Sequence, residues 1–399
     1  MASMAMTSAP PPTSAVEANR LGIAALQAGD PAAATAHFAA AIAADPQSGA
    51  LHRNLASAWR ALGDDDRELT ALDAALAIDR RDLIAWIRKA ERFETRGDKG
   101  AALAAWSAAI ALGAQLNPLP PALEPLLVHG QAFVTTATDT MFSAASDAFA
   151  ALRGDLSETE ARRGAAFIAS ALGRRRIYRN ECAGIYYPFL PADEFFDRAH
   201  FPWLADIEAQ TGAIRAELQA LLDDPGEALR PYVRMEAGTP ASIWSALDNR
   251  LDWGACFLWE YGAANQPVLD RCPVTAAALA AIPGARIPGR APSAFFSMLK
   301  PHTRIPPHTG VTNSRAIVHL PLIVPPGCGF RVGGETRTWQ EGRAFAFDDT
   351  IEHEAWNDSD QLRAVLIFDV WNPHLSAREG DLLVQYFASA DASGYAVPR

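Results

Sequence analysis

The stretch PPHTGVTNSRAIVHLPL, residues 306–322, sets one histidine at the end of a Pro-rich loop and another, with an arginine, inside an apolar run. In a strand, residues two apart share a face, so Arg315, Ile317 and His319 point one way. His308 fits the start of a facial metal site built from two histidines and a carboxylate, whose expected spacing is His-x-Asp or His-x-Glu. The third position is Gly310, which leaves open what completes the site.

From about residue 290 the chain reads as short strands: AFFSMLK, SRAIVHLPLIV, GFRVGG, ETRTW, RAFAFDD and RAVLIFDVW. Gly, Pro and Asp turns divide them, the pattern of a sandwich or barrel. Phe295 and Ser297 share a face, and His353 ends the turn DDTIEHE. Arg363 opens the next strand with Val365 and Ile367 on its face. An arginine on a buried face needs an anion, and a dicarboxylate ligand would supply one. A proximal His, a distal His on a loop and an Arg about one strand further on are the layout of a 2-oxoglutarate and Fe(II) oxygenase on a double-stranded β-helix. Asp349 either orients a metal-bound water or caps the DDT turn. Trp253 and Trp259, in DWGACFLWEYG, are pocket wall or core.

The first third has a period of 34. Gly29-Asp30, Gly63-Asp64 and Gly97-Asp98 recur in register, followed by Phe38, Leu72 and Trp106, then Ala41, Ala75 and Ala109, and preceded by Gly22, Ala56 and Ala90. Small residues where antiparallel helices touch and large ones beside them fit a stacked helix pair. The pattern resembles tetratricopeptide repeats over about residues 16–115, whose groove is a candidate site for a peptide partner. QLNPLPPALEP, 115–125, breaks the helical period. Ser157-x-x-Glu160 is a capping box.

The expected organisation is a disordered lead-in over 1–15, the repeats over 16–115, a helical layer over 116–176, the oxygenase domain over 177–380 and a tail over 381–399. The fold class is α+β and multi-domain, an α-solenoid followed by a jelly-roll, cupin-like β-helix. The 399 residues, 49% hydrophobic and 20% charged, suffice for two or more cores. A net charge of -11 without a long basic run argues against nucleic acid or an anionic membrane as the main partner. Four scattered cysteines without CxxC spacing indicate neither zinc nor a disulfide framework. With no signal-like or transmembrane run, a cytoplasmic location is expected.

HTGVTNSR, HLPL, ETRTWQEGRAFAFDDTIEHEAWND and FDVWNP resemble the aspartyl/asparaginyl β-hydroxylase family of 2-oxoglutarate oxygenases over about residues 230–375. Some of its members carry tetratricopeptide repeats ahead of the oxygenase domain. The resemblance implies an Fe(II)-dependent dioxygenase that uses 2-oxoglutarate and O2, with His308 and His353 as the iron ligands and Gly310 where a carboxylate would stand. It assigns Ser297 and Arg363 to the distal carboxylate of 2-oxoglutarate, His319 to the carboxylate at the metal, and Arg315 to the substrate side. The implied substrate is an Asp/Asn-like or other amino-acid residue in a peptide, a protein or a small molecule, hydroxylated at the β-carbon. The alternatives are a lipid acyl chain or a non-catalytic repeat adaptor. Two departures stand out: a second arginine of Asp-acting members is Ile317 here, and a basic residue before the serine is Phe295. Both remove positive charge from the expected pocket.

Overall fold

The computed structural model describes residues 14–394, which form two compact units divided between Leu156 and Ser157. The expected lead-in falls almost wholly outside the described residues.

The first unit is a run of paired helices: α1 (Ala15–Gln27), α2 (Pro31–Ala44), α3 (Gly49–Leu62), α4 (Asp65–Ile78), α5 (Leu83–Thr95) and α6 (Lys99–Gly113). The Gly-Asp recurrence has a local cause. Gly29, Gly63 and Gly97 take φ between +73° and +79°, a left-handed turn in which a side chain would be strained. The next residue, Asp30, Asp64 or Asp98, accepts a hydrogen bond from the backbone N–H three residues on and caps the following helix. Phe38, Leu72 and Trp106 are fully buried, as are Ala41, Ala75 and Ala109. A Cβ on Gly22 would stand 2.5 Å from the Phe38 ring, so the small residue is what lets α1 and α2 close.

The helical layer expected over 116–176 is split between the units. Helix α7 (Glu124–Leu152) ends the first unit, where its Leu126, Leu127, Phe133 and Val134 cover the cluster around Trp106. That stripe matches the open apolar side of α6, which a solenoid end must cover. Helix α8 (Glu158–Ala171) opens the second unit from the Ser157–Glu160 capping box, and its Arg162 pairs with Asp193 and Glu335.

In the second unit, α9 (Leu204–Glu208) and α10 (Thr211–Asp223) precede β1 (Leu229–Pro231), β2 (Trp253–Glu260) and β3 (Ala263–Ala264). Helices α11 (Gln266–Leu269) and α12 (Pro273–Ala281) lead to β4 (Ala294–Leu299), β5 (Thr303–His308), β6 (Arg315–Ile323), β7 (Cys328–Val332) and β8 (Glu335–Arg337). Then come β9 (Phe345–Phe347), β10 (His353–Asn357), β11 (Arg363–Trp371) and α13 (Ala377–Ala392). Two antiparallel sheets result, one ordered β1-β2-β4-β11-β6-β9 with β3 beside β2, the other β5-β10-β7-β8. From β4 onward the chain alternates between the sheets except at the β7–β8 hairpin, which stays in the smaller one; this is the winding of a double-stranded β-helix.

The larger sheet has two unlike faces. Phe296, Met298, Val318, Leu320, Leu366 and Phe368 pack outward against Ile214, Leu218 and Leu221 of α10 and Ala278 and Leu279 of α12. The inner face meets the smaller sheet through Trp253, Leu299, Val365, Ile305, Phe330 and Val332.

The described part of the span expected as a tail, residues 381–394, is largely helical. Ser376 and Glu379 form a capping box, Leu383 and Phe387 are buried, and Arg290 pairs with Asp391. That box is visible in the sequence and marks the helix start.

Candidate active site

The two histidines expected on loops sit on strands. His308 ends β5 and His353 begins β10, directly opposite one another in the antiparallel register. Pro306 and Pro307 made β5 look like a loop. At the edge of the smaller sheet, however, a strand has one unpaired side, and proline is tolerated there. Pairing brings the ring centroids within 4.0 Å. The Nδ1 of His308 lies 2.8 Å from the Pro306 carbonyl, and that of His353 lies 3.0 Å from the Ile351 carbonyl. A carbonyl only accepts, so each Nδ1 carries the proton and donates it. Each Nε2 keeps its lone pair, the form in which imidazole binds a metal. Burial holds both rings toward the neutral state, for His353 with the added repulsion of His308.

Gly310 answers the question that its spacing raised. A Cβ there would stand 2.0 Å from the Oδ2 of Asp349, and the Gly310 N–H donates to the Asp349 carbonyl at 2.6 Å. The Asp349 carboxylate fills the space into which a side chain at 310 would project. Burial, then the neighbouring Asp348, push its pKa up to about 7, against the pull of Arg315. Among the described residues no group of three or more His, Cys, Asp or Glu is placed to hold a metal.

The inner face of the larger sheet runs in rows fixed by strand register. Trp253, Leu299 and Arg363 lie side by side, then Ala255, Ser297 and Val365, then Phe257, Phe295, Ile367 and His319, then Asp369 and Ile317, and last Arg315 beside Trp371. Ser297 is buried, and its Oγ accepts the Trp253 indole N–H at 3.0 Å and an Arg363 N–H at 3.3 Å. Trp253 thus belongs to the pocket side, whereas Trp259 packs with the outer core. Trp253 also stacks on Tyr232 at 3.9 Å, and Trp244 meets the edge of His308 at 4.9 Å. Neither Tyr232 nor Trp244 stood out in the sequence, because both lie outside regular strands or helices.

Arg363 is 1% exposed and forms no ion pair among the described residues; burial lowers its pKa to about 10. Its Nε has no hydrogen-bond partner, and neither has His319 Nδ1. Trp339 Nε1 is in the same condition, under a ring that carries the Arg363 guanidinium 4.6 Å from its centroid. His319 lies 6.2 Å from the same ring. In the sequence Trp339 is one residue of the strand-like run ETRTW, of which the strand proper ends at Arg337. Arg315, expected on the substrate side, pairs with the buried carboxylate of Asp369 and donates to the Arg290 carbonyl at 3.3 Å. Asp369 follows it by 54 residues and is joined to it only through the β6–β11 pairing. Phe295 and Ile317 do lie on the inner face, where Phe257 stacks on Phe295 at 4.9 Å.

Residues 208–373 match the aspartyl/asparaginyl beta-hydroxylase family. The chain is 37% identical over 196 residues to an ornithine lipid ester-linked acyl 2-hydroxylase of Rhizobium tropici, a match covering 48% of this chain and 66% of that protein. It is 39% identical over 130 residues to the mouse aspartyl/asparaginyl beta-hydroxylase, covering 32% of this chain and 17% of that protein. It is 34% identical over 210 residues to the human aspartate beta-hydroxylase domain-containing protein 2, covering 51% and 54%. The chain thus spans less than two thirds of each of these relatives. The solved Yersinia enterocolitica chaperone SycD with a YopD peptide aligns at a TM-score of 0.28 and 17% identity, covering 30% of this chain and 89% of that one. The repeats are assigned here from their own period and burial, not from that likeness. The paired histidines, the Gly310–Asp349 contact and the alternating strands all fall inside the matched span, and the C-terminal unit carries a domain of the aspartyl/asparaginyl β-hydroxylase family.

Proposed function

We propose that this chain is an Fe(II)- and 2-oxoglutarate-dependent hydroxylase acting on an uncharged, largely apolar substrate. The observation that carries this reading is Arg363, a buried guanidinium that among the described residues has no ion pair and bonds to Ser297 over the Trp339 ring. An isolated cation in a dry site costs several kcal/mol, about 3–5 for a pair deprived of one partner, and a dicarboxylate offsets that cost. His308 and His353 would hold the metal through Nε2, Arg363 and Ser297 the far carboxylate, and His319 the near one. Fe(II), 2-oxoglutarate and O2 together supply the oxidising power that inserts one oxygen atom into a C–H bond as 2-oxoglutarate becomes succinate and carbon dioxide. The protein's part is to orient the reactants and keep water out, which the rings of Tyr232, Trp244 and Trp253 support around His308.

Substrate preference follows from the rows nearer Arg315. Phe257, Phe295, Ile317 and Ile367 are apolar, and the arginine beyond them is already bound to Asp369. An acidic side chain would lose hydration there without meeting a cation, whereas an acyl chain would lose none. The Rhizobium relative, whose name specifies a lipid-linked acyl group, points the same way. An acyl chain is therefore the leading substrate class, ahead of an Asp or Asn side chain.

The purified full chain, given Fe(II), ascorbate and 2-oxoglutarate, should release succinate, and an acyl lipid in mixed micelles should accelerate it. His308→Ala or His353→Ala should abolish both iron retention and succinate release. Absence of succinate under every condition would favour the adaptor reading. Efficient oxygenation of Asp peptides, with acyl lipids inert, would restore the aspartyl substrate.

A further inference from the structure

Buried polar atoms without partners are uncommon in folded proteins, and each calls for an explanation. Among the described residues seven side-chain atoms are in this condition. Four belong to Glu68, Arg92, Arg215 and Arg290, whose other polar atoms make ion pairs. The remaining three are Arg363 Nε, His319 Nδ1 and Trp339 Nε1, gathered around one ring. Trp339 is the extreme case. It is 5% exposed, and the indole N–H is its single polar side-chain atom.

Packing alone does not account for an indole there. The ring stacks on Phe330 at 5.5 Å and 22°, and Arg363 lies over it. A phenylalanine would serve both contacts without burying a donor. We propose that Trp339 binds the cosubstrate directly, its N–H donating to the same 2-oxoglutarate carboxylate that Arg363 meets. This rests on the proposed 2-oxoglutarate dependence. The ring then has two roles: its face carries the guanidinium, and its edge donates the hydrogen bond that the guanidinium cannot direct. Because an indole cannot accept a hydrogen bond, the arrangement selects an anion over a neutral amide or a hydroxyl.

Trp339→Phe is the test, read by calorimetric titration of the full chain with 2-oxoglutarate in the presence of Mn(II) without O2, and by melting temperature. The free variant should melt no lower than the parent, because an unsatisfied donor has been removed. Its affinity for 2-oxoglutarate should fall about 10- to 100-fold, the range for a hydrogen bond to a charged acceptor. The rise in melting temperature on adding 2-oxoglutarate should shrink accordingly. If parent and variant bind 2-oxoglutarate equally well, the contact is refuted while the hydroxylase reading stands. If the parent binds none, both fall. A variant that melts lower and binds normally would assign Trp339 to the core alone.

Discussion

Two arginines stand on the inner face of the larger sheet at opposite ends of its rows. Arg315, on β6, reaches Asp369 on the adjacent β11, and that carboxylate also accepts the Ser293 N–H at 3.0 Å. Arg363, on β11 itself, is more deeply buried and meets a hydroxyl, a carbonyl and an aromatic face. Both arginines are equally conspicuous in sequence, and both suggested ligand contact. The structure separates them by partner: Arg315 has a counter-ion on the neighbouring strand, whereas Arg363 has none among the described residues. Burial shifts each ion differently. It lowers the pKa of Arg363 and raises that of Asp369, the latter against the opposing pull of Arg315.

The largest effect should come from removing the unpaired charge. Arg363→Leu should weaken 2-oxoglutarate binding by about 3–5 kcal/mol, the scale of a buried pair deprived of one partner. The same change should leave the ligand-free protein as stable as before or more so, because the cost of a buried cation disappears. Loss of affinity together with a large drop in melting temperature would mean that Arg363 is structural like Arg315.

The opposite pattern is expected at the other end. Asp369→Asn should destabilise the fold by about 3 kcal/mol, the low end for a buried pair because the Arg315 side chain keeps 15% exposure. Affinity for 2-oxoglutarate should be almost unchanged. Urea unfolding and ligand titration on the same preparation separate the two readouts. Weakened 2-oxoglutarate binding without loss of stability would return Arg315 to a ligand-binding role.

Much of this could be read along the chain where the determinants are local. The 34-residue repeat was legible because each Gly-Asp ends one helix and caps the next, with the matching apolar residue a fixed distance on. The face shared by Arg315, Ile317 and His319 followed from strand alternation alone. Hidden features depended on pairing across the sheets. Asp369 neutralises Arg315 from the neighbouring strand, and His308 lies on a strand because an edge position tolerates its prolines. Gly310 is a glycine because of Asp349, a contact between two segments 39 positions apart. No pattern along the sequence distinguishes the indole of Trp339, two residues past the end of β8, from the other aromatics of this region.

The finest test of the contrast adds a third cation between the two arginines. Ile317 stands opposite Asp369 in register, in the row between His319 and Arg315. Ile317→Arg would place a guanidinium on the apolar stretch of the inner face, within reach of a carboxylate already shared by Arg315 and the Ser293 N–H. Part of the new charge would be drawn to Asp369 and lost to the substrate. The gain for an acidic peptide should therefore lie at the lower end of a charge-assisted hydrogen bond, about 1.5 kcal/mol or roughly tenfold in kcat/KM. An acyl substrate should lose turnover, because the same arginine must be desolvated against its chain. Oxygen incorporation into matched Asp, Asn and acyl substrates, followed by mass spectrometry for both proteins, reads the exchange. If the parent already prefers Asp and the substitution changes nothing, the rows between Arg363 and Arg315 do not set specificity, and the acidic group must be recognised from the smaller sheet or its loops.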